Sequence, residues 1–249
     1  MIPTPIQLAL ATLRKHGIRT LVLGGQASIL HGGAEFSRDL DLLLTTDPAD
    51  LVRLQGALAE LEAELIAVPP LAAEYLDRGH AVHFRCRRSD VSGLRLDLLT
   101  RPPRLPDLDA VWHRAVVAEV GGETIPVVAV DDLIQTKKTQ RDKDWAIIGA
   151  LVRADMVRHR DEPTPDRLRF WLREAREADD LITLAAGFPE EARAVAAGRP
   201  LLHNAVVGDR SGLALELAKE QLAGKEADRR YWGPLQAELE QLRHRQRRG

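Results

Sequence analysis

The segment from Asp39 to Leu44 constrains the fold more than any other stretch of this 249-residue chain. Its sequence is Asp-Leu-Asp-Leu-Leu-Leu. Side chains alternate between the two faces of a β-strand, so Asp39 and Asp41 project together and Leu40 and Leu42 project to the other side. The segment therefore predicts a strand with its leucines in a core and two carboxylates on the opposite face.

The surrounding pattern predicts an α/β (α+β) fold with a mixed β-sheet, flanking helices and a mainly helical C-terminal region. Asp47 and Pro48 form a good helix start, with aspartate as the N-cap and proline at the first helical position. We expect two domains, over residues 1–155 and 156–249. The predicted helices cover 5–16, 27–31, 48–66 and 109–114, and the predicted strands cover 19–23, 39–44, 81–87, 94–99 and a hairpin within 116–130.

The bulk composition excludes several classes of protein. With 45% hydrophobic and 29% charged residues the chain is ordinary for a soluble globular protein, and its net charge of −2 gives no overall footprint for nucleic acid. The single cysteine, Cys86, excludes an internal disulfide and a multi-cysteine zinc site. No apolar run is long enough to span a membrane and no signal peptide pattern is present, so we expect a cytoplasmic protein without a membrane partner.

A third carboxylate, Asp97, lies in a similar alternating segment, Leu94 to Leu99. If this strand lies beside the first, Asp97 converges with Asp39 and Asp41. Neighbouring carboxylates repel each other, and a divalent cation between them keeps them ionised. Oxygen ligands of this kind suit Mg²⁺ or Mn²⁺, which leave positions open for phosphate oxygens. The three aspartates therefore predict a metal site for phosphoryl transfer.

Gly24 and Gly25 stand where the first strand meets a short helix. Glycine lets a backbone approach a ligand closely, and a helix start presents N–H groups to phosphate. We expect these groups to hold the phosphates of a nucleotide, with the hydroxyl of Ser28 as a further contact. By contrast, His80 and His83 lie three residues apart on a strand, which places their rings on opposite faces, so they are interpreted as ordinary histidines.

These motifs together resemble the nucleotidyltransferase-fold (DNA polymerase β-like) superfamily. The resemblance rests on Leu23-Gly24-Gly25, on Asp39-Leu40-Asp41 and on the downstream Asp97. The segment from Val130 to Asp144 looks like the downstream helix of AbiEii-type nucleotidyltransferases, a group that includes toxins of toxin–antitoxin pairs. The resemblance covers roughly residues 18–150.

The resemblance implies roles for individual residues. The metal ligands would be Asp39, Asp41 and Asp97, and the nucleotide contacts would be Gly24, Gly25, Ser28, Ser37, Arg38, Lys137, Arg141 and Asp144. Lys137 and Arg141, four residues apart, are expected to share a helix face near the triphosphate. This sequence departs from the family pattern at Glu35, where a basic residue is usual.

The leading hypothesis is a Mg²⁺-dependent (or Mn²⁺-dependent) transferase that moves an NMP from an NTP to a hydroxyl acceptor. The acceptor would be RNA (a tRNA end, for a toxin), a protein side chain or a small molecule, and a toxin would have an antitoxin partner. Glu35 motivates an alternative, a non-catalytic nucleotide-binding module that acts through a protein partner. A third hypothesis is a metal-dependent phosphohydrolase, which would use water in place of the acceptor.

Overall fold

The computed structural model describes residues 3–247, and within them seven strands form one mixed sheet. The sheet order is β3-β4-β5-β2-β1-β7-β6. The strands are β1 (Leu21–Leu23), β2 (Asp39–Leu43), β3 (Ala63–Leu65), β4 (Val82–Cys86), β5 (Arg95–Leu99), β6 (Val116–Val120) and β7 (Glu123–Val127). The helices are α1 (Thr4–Lys15), α2 (Gly24–Leu30), α3 (Pro48–Glu60), α4 (Ala73–Asp77), α5 (Leu108–Arg114), α6 (Val130–Lys137), α7 (Asp142–Arg158), α8 (Pro165–Glu174), α9 (Ala178–Gly187), α10 (Pro189–Ala196), α11 (Leu202–Val206) and α12 (Arg210–Gln246).

The predicted fold class is confirmed. The sheet is mixed because β2 pairs with β5 and β1 pairs with β7 in parallel, while the other neighbours are antiparallel. The predicted hairpins at β4–β5 and β6–β7 are both present. The sheet, its flanking helices and the helical C-terminal part together match the expected architecture.

Leucines of the central strands form an apolar core on the face of the sheet opposite the aspartates. Leu40, Leu42, Leu96 and Leu98 are each 0% exposed. Leu40 pairs with Leu96 and Leu42 with Leu98 in the parallel register, which places all four side chains on one face. The alternation read from the sequence therefore divides both strands into an apolar face and a charged face.

The long helix predicted over 48–66 is wrong at its C-terminal end. Asp47 is the N-cap, accepting a hydrogen bond from the Ala49 N–H at 2.8 Å, but α3 ends at Glu60. Glu62 then adopts a left-handed conformation (φ 49°), which an α-helix cannot continue, and β3 follows. The short helix α4 also replaces a stretch without predicted structure.

The chain divides into two compact units, neither of them one continuous stretch of sequence. The first comprises residues 3–30, 35–136 and 231–247 and contains the whole sheet. The second comprises 31–34 and 137–230 and is helical. The predicted boundary at residue 155 stays a prediction. Of the helices in residues 3–247, none has the length and apolar character that crossing a membrane requires.

The helix predicted to carry both Lys137 and Arg141 is interrupted between them. Lys137 ends α6, and Arg141 is the N-cap of α7. The Thr139 hydroxyl accepts from the Arg141 N–H at 3.1 Å, and the Thr139 carbonyl accepts from the Trp145 indole at 2.7 Å. These bonds hold residues 138–141 in a turn, so the expected shared helix face is wrong.

Candidate active site

The predicted carboxylates lie on one face of two adjacent strands. In the parallel register of β2 and β5, Asp41 pairs with Asp97 and Asp39 pairs with Arg95. Paired residues in neighbouring strands point to the same side of a sheet, so these four side chains share a face. We call the group of Asp39, Asp41, Arg95, Asp97 and the adjacent His83 the carboxylate face. The condition set from the sequence, that the strand of Asp97 lies beside the strand of Asp39 and Asp41, is met.

Asp97 is bound by two basic side chains. Its Oδ1 accepts from Arg95 Nε at 2.7 Å and lies 2.8 Å from His83 Nδ1. Burial works to raise the pKa of Asp97, but the hydrogen bonds from His83 and Arg95 outweigh it and hold the pKa below its ordinary value. Asp97 is therefore ionised at neutral pH and has its charge balanced from within the chain.

The three carboxylates do not yet surround one point. Within residues 3–247, no three carboxylate, imidazole or thiol groups stand together as a ready metal site. Asp97 is turned toward Arg95 and His83, while Asp39 and Asp41 are half-buried on the neighbouring strand. The donor chemistry nevertheless fits Mg²⁺ or Mn²⁺, because three hard oxygen ligands share a face with a surplus of negative charge.

The two glycines are packed against this face, as close approach requires. A Cβ atom on Gly24, whose φ is 63°, would overlap the Asp41 carboxylate, and one on Gly25 would overlap the Ser37 side chain. The Gly25 N–H points to Asp41 Oδ2 at 3.4 Å. The glycines therefore make room for the site's own side chains, while their contact with a nucleotide stays a prediction.

The other predicted nucleotide contacts of the first unit have local partners. The buried Ser28 hydroxyl donates to the Gly24 carbonyl at 2.8 Å, which leaves it inside α2. The Ser37 hydroxyl donates to the Asp39 carbonyl at 3.4 Å. Arg38 is exposed, with its guanidinium 5.5 Å from the centre of the Phe36 ring. Ser37 and Arg38 thus flank the start of β2, and Ser28 does not open onto it.

Lys137, Arg141 and Asp144 belong to the second unit and form a cluster there. Asp144 is 1% exposed, and its Oδ2 accepts from Arg141 Nε at 2.8 Å and from the Thr139 hydroxyl at 2.6 Å. Lys137 Nζ lies 3.7 Å from Asp144 Oδ1. The cluster joins the three residues that the resemblance singles out, and their approach to a triphosphate stays a prediction.

Sequence reasoning missed Arg95 and His83. Arg95 stands two residues before Asp97, so strand alternation alone places both on one face, and that signal was available. His83 had no such signal, because its position opposite Asp97 depends on the antiparallel register of β4 and β5. His80 is 1% exposed, and its Nε2 lies 2.7 Å from Glu238.

Comparisons with known proteins give weak structural likeness only. Neither a protein-family model nor a curated protein matches the sequence. Among solved structures, the lincosamide antibiotic adenylyltransferase LnuA is 11% identical (TM-score 0.43), with 61% of this chain and 96% of that chain covered. A nucleotidyltransferase-like protein from Paracoccidioides brasiliensis is 15% identical (TM-score 0.44; 78% and 92% covered). The antibiotic-resistance factor ANT(2'')-Ia is 16% identical (TM-score 0.39; 79% and 95% covered). Identities and TM-scores this low do not assign a function.

Proposed function

We propose that the protein is a metal-dependent nucleotidyltransferase that transfers an NMP from an NTP to a hydroxyl acceptor. The observation that carries this proposal is the register of β2 and β5, which sets Asp41 opposite Asp97 with Asp39 on the same face. Three carboxylates with one guanidinium among them leave a surplus of negative charge. A divalent cation relieves such a surplus and binds phosphate oxygens at the same time.

The residues of the carboxylate face would hold Mg²⁺ or Mn²⁺ through Asp39, Asp41 and Asp97. When bound, the ion supplies Lewis-acid stabilisation of the charge that develops on the phosphate oxygens. The acceptor oxygen forms a bond to the α-phosphorus, the bond from that phosphorus to the bridging oxygen breaks, and pyrophosphate leaves. The hydroxyl proton passes to water.

The remaining groups would bind and orient the nucleotide. Gly24, Gly25 and Ser37 lie against the carboxylate face, and exposed Arg38 carries a positive charge next to β2. The resemblance to AbiEii-type proteins supports an approach of Lys137 to the triphosphate, with Arg141 and Asp144 helping to organise the site. It also supports an RNA acceptor such as a tRNA end, and an antitoxin protein as partner.

Transfer of label from α-³²P NTPs in the presence of Mg²⁺ tests the proposal. Wild type should label an RNA, protein or small-molecule acceptor, and Asp41→Ala should reduce the rate about 1,000-fold or more, because it removes a ligand from the charged centre. Asp161→Ala is the matched control, since its side chain is 90% exposed in the second unit. It should retain the wild-type rate.

Three outcomes separate the hypotheses. Equal labelling by wild type and Asp41→Ala, or no labelling of any acceptor, contradicts the transferase. Free NMP and pyrophosphate as the only products indicate the phosphohydrolase. Nucleotide binding without carboxylate-dependent Mn²⁺ binding indicates the non-catalytic module, in which Arg95 and His83 would keep Asp97 permanently.

A further inference from the structure

The carboxylate face holds a cation of its own. Arg95 sits opposite Asp39 in the register and two residues before Asp97, whose Oδ1 receives its Nε hydrogen bond at 2.7 Å. The guanidinium thus lies on the same face as the three carboxylates and is hydrogen-bonded to one of them. Arg95 is neither a metal ligand nor a nucleotide contact in the proposed reaction.

We propose that Arg95 is the counter-ion of the metal-free carboxylate face and that its guanidinium competes with a divalent cation for Asp97. Arg95 is then a positioning residue. It holds Oδ1 of Asp97 in the metal-free protein, and its positive charge opposes a divalent ion at the same carboxylate. This inference rests on the proposed metal site.

The charge balance supports this competition. Three carboxylates on neighbouring positions repel one another, so an internal cation stabilises the face when no metal is bound. The hydrogen bond to Asp97 raises the pKa of Arg95 above its ordinary value, and the charges of Asp97, Asp39 and Asp41 add to this effect. Arg95 is hydrogen-bonded to Asp97 and lies opposite Asp39 in the register, so a divalent ion bound to this face would meet a repelling positive charge.

His83 offers two alternative hydrogen bonds beside Asp97. His83 Nδ1 lies 2.8 Å from Asp97 Oδ1 and 3.1 Å from Arg95 Nη2. This nitrogen either donates to Asp97 or accepts from Arg95, and it cannot do both. Only one of the two contacts is therefore a hydrogen bond at a time, and the position of the His83 proton decides which one.

The Arg95 side chain is accessible to solvent. Its side chain is 36% exposed, whereas that of Asp97 is 12% exposed. A guanidinium that leaves Asp97 reaches water, which replaces the lost hydrogen bond. Water can therefore compete with Asp97 for the guanidinium.

Mn²⁺ binding to the full-length protein, without nucleotide, tests the inference. The free ion is followed by electron paramagnetic resonance in wild type, Arg95→Gln, Arg95→Lys and Arg85→Gln. Arg85 is the matched control because it pairs with Arg95 in the register and is exposed on the same face. Its loss changes the net charge equally without touching the Asp97 pair.

Arg95→Gln should bind Mn²⁺ about tenfold more tightly than wild type, the scale expected when a neighbouring charge is removed. Arg85→Gln should change the affinity less than about twofold, and Arg95→Lys should remain close to wild type because it keeps the charge. A residue that only supported the fold would not produce a gain in affinity.

Each other outcome overturns the inference. Unchanged or weaker Mn²⁺ binding in Arg95→Gln, while wild type binds Mn²⁺, contradicts the competition and leaves the proposed function intact. An equal gain in Arg85→Gln shows a general charge effect in place of a local one. No Mn²⁺ binding in wild type or in any of the three variants removes the metal site, and the proposed function with it.

Discussion

The two faces of β2 and β5 are built from alternate residues of the same segments, yet they differ in almost every physical property. On the apolar face Leu40, Leu42, Leu96 and Leu98 are each fully buried. On the carboxylate face, Asp39 and Asp41 are half-buried and share one guanidinium with Asp97. Burial of a leucine contributes about 1.5–3 kcal/mol, whereas like charges on one face oppose folding.

The comparison separates the part of the sheet that stabilises the fold from the part that we assign to chemistry. The apolar face needs no ligand, because its members satisfy one another. On the carboxylate face, Arg95 and His83 contact Asp97, and the proposed metal ion would bind all three carboxylates. Substitutions of the leucines should therefore mainly lower the free energy of unfolding. Substitutions of the carboxylates should mainly change metal binding.

Leu96→Ala should have the largest effect. It leaves a cavity on the apolar face at a side chain with 0% exposure, and we expect a loss of about 3 kcal/mol in the free energy of unfolding. Urea unfolding followed by circular dichroism measures it. The control is Leu222→Ala, at 67% exposure, which should change stability by less than about 0.5 kcal/mol. Equal losses in the two variants would break the distinction between the faces.

Gly24→Ala should cost about 2 kcal/mol, because its φ of 63° disfavours alanine and the new Cβ overlaps the Asp41 carboxylate. Gly93→Ala is the control. It has a φ of 81° with nothing within 4 Å, so only the backbone strain of about 1 kcal/mol remains. Urea unfolding of both variants gives the difference. A smaller loss for Gly24→Ala than for Gly93→Ala would show that the carboxylate face does not need this close approach.

Cys86 lies on the buried side of β4. The pH dependence of the free energy of unfolding tests whether its thiol is desolvated there. Burial raises the pKa of its thiol from 9.0 to about 11. The folded protein thus keeps a proton that the unfolded chain releases, so the contribution is complete below pH 9.0 and is lost as pH rises toward 11. Between pH 8 and 10, wild type should lose about 1 kcal/mol more than Cys86→Ala, measured by urea unfolding at each pH. Identical pH profiles would contradict a desolvated thiol.

Asp39→Asn should have the smallest effect on the metal-free protein, a change within about 0.5 kcal/mol, because it removes one of three like charges. The effect of Asp39→Asn should appear only when a metal ion is present. Wild type should melt at a higher temperature in Mn²⁺ than in EDTA, and Asp39→Asn should lose this increase. Asp166→Asn, whose side chain is 95% exposed, should keep it. A full Mn²⁺ response in Asp39→Asn would remove this residue from the ligand set.

Local patterns predicted much of the fold. The Asp47 cap, the two hairpins and the alternation of β2 and β5 all follow from residues close in the sequence. The end of α3 does not, since residues 48–66 have a continuous helical pattern. Leu65 nevertheless pairs with Phe84 of β4, a contact distant in the sequence that favours a strand. The turn between Lys137 and Arg141 was also missed, although the hydrogen bonds of Thr139 with Trp145 and Asp144 that hold it join residues close in the sequence.

The sequence by itself determined which side chains share a face within each strand, because alternation is a local property of an extended chain. It therefore paired Asp39 with Asp41, and it also implied the pairing of Arg95 with Asp97. Only the tertiary structure decided that β5 lies beside β2, in a register that sets Asp41 opposite Asp97 and brings His83 to the same carboxylate. Strand order and register arise from packing between distant segments, which no local pattern encodes.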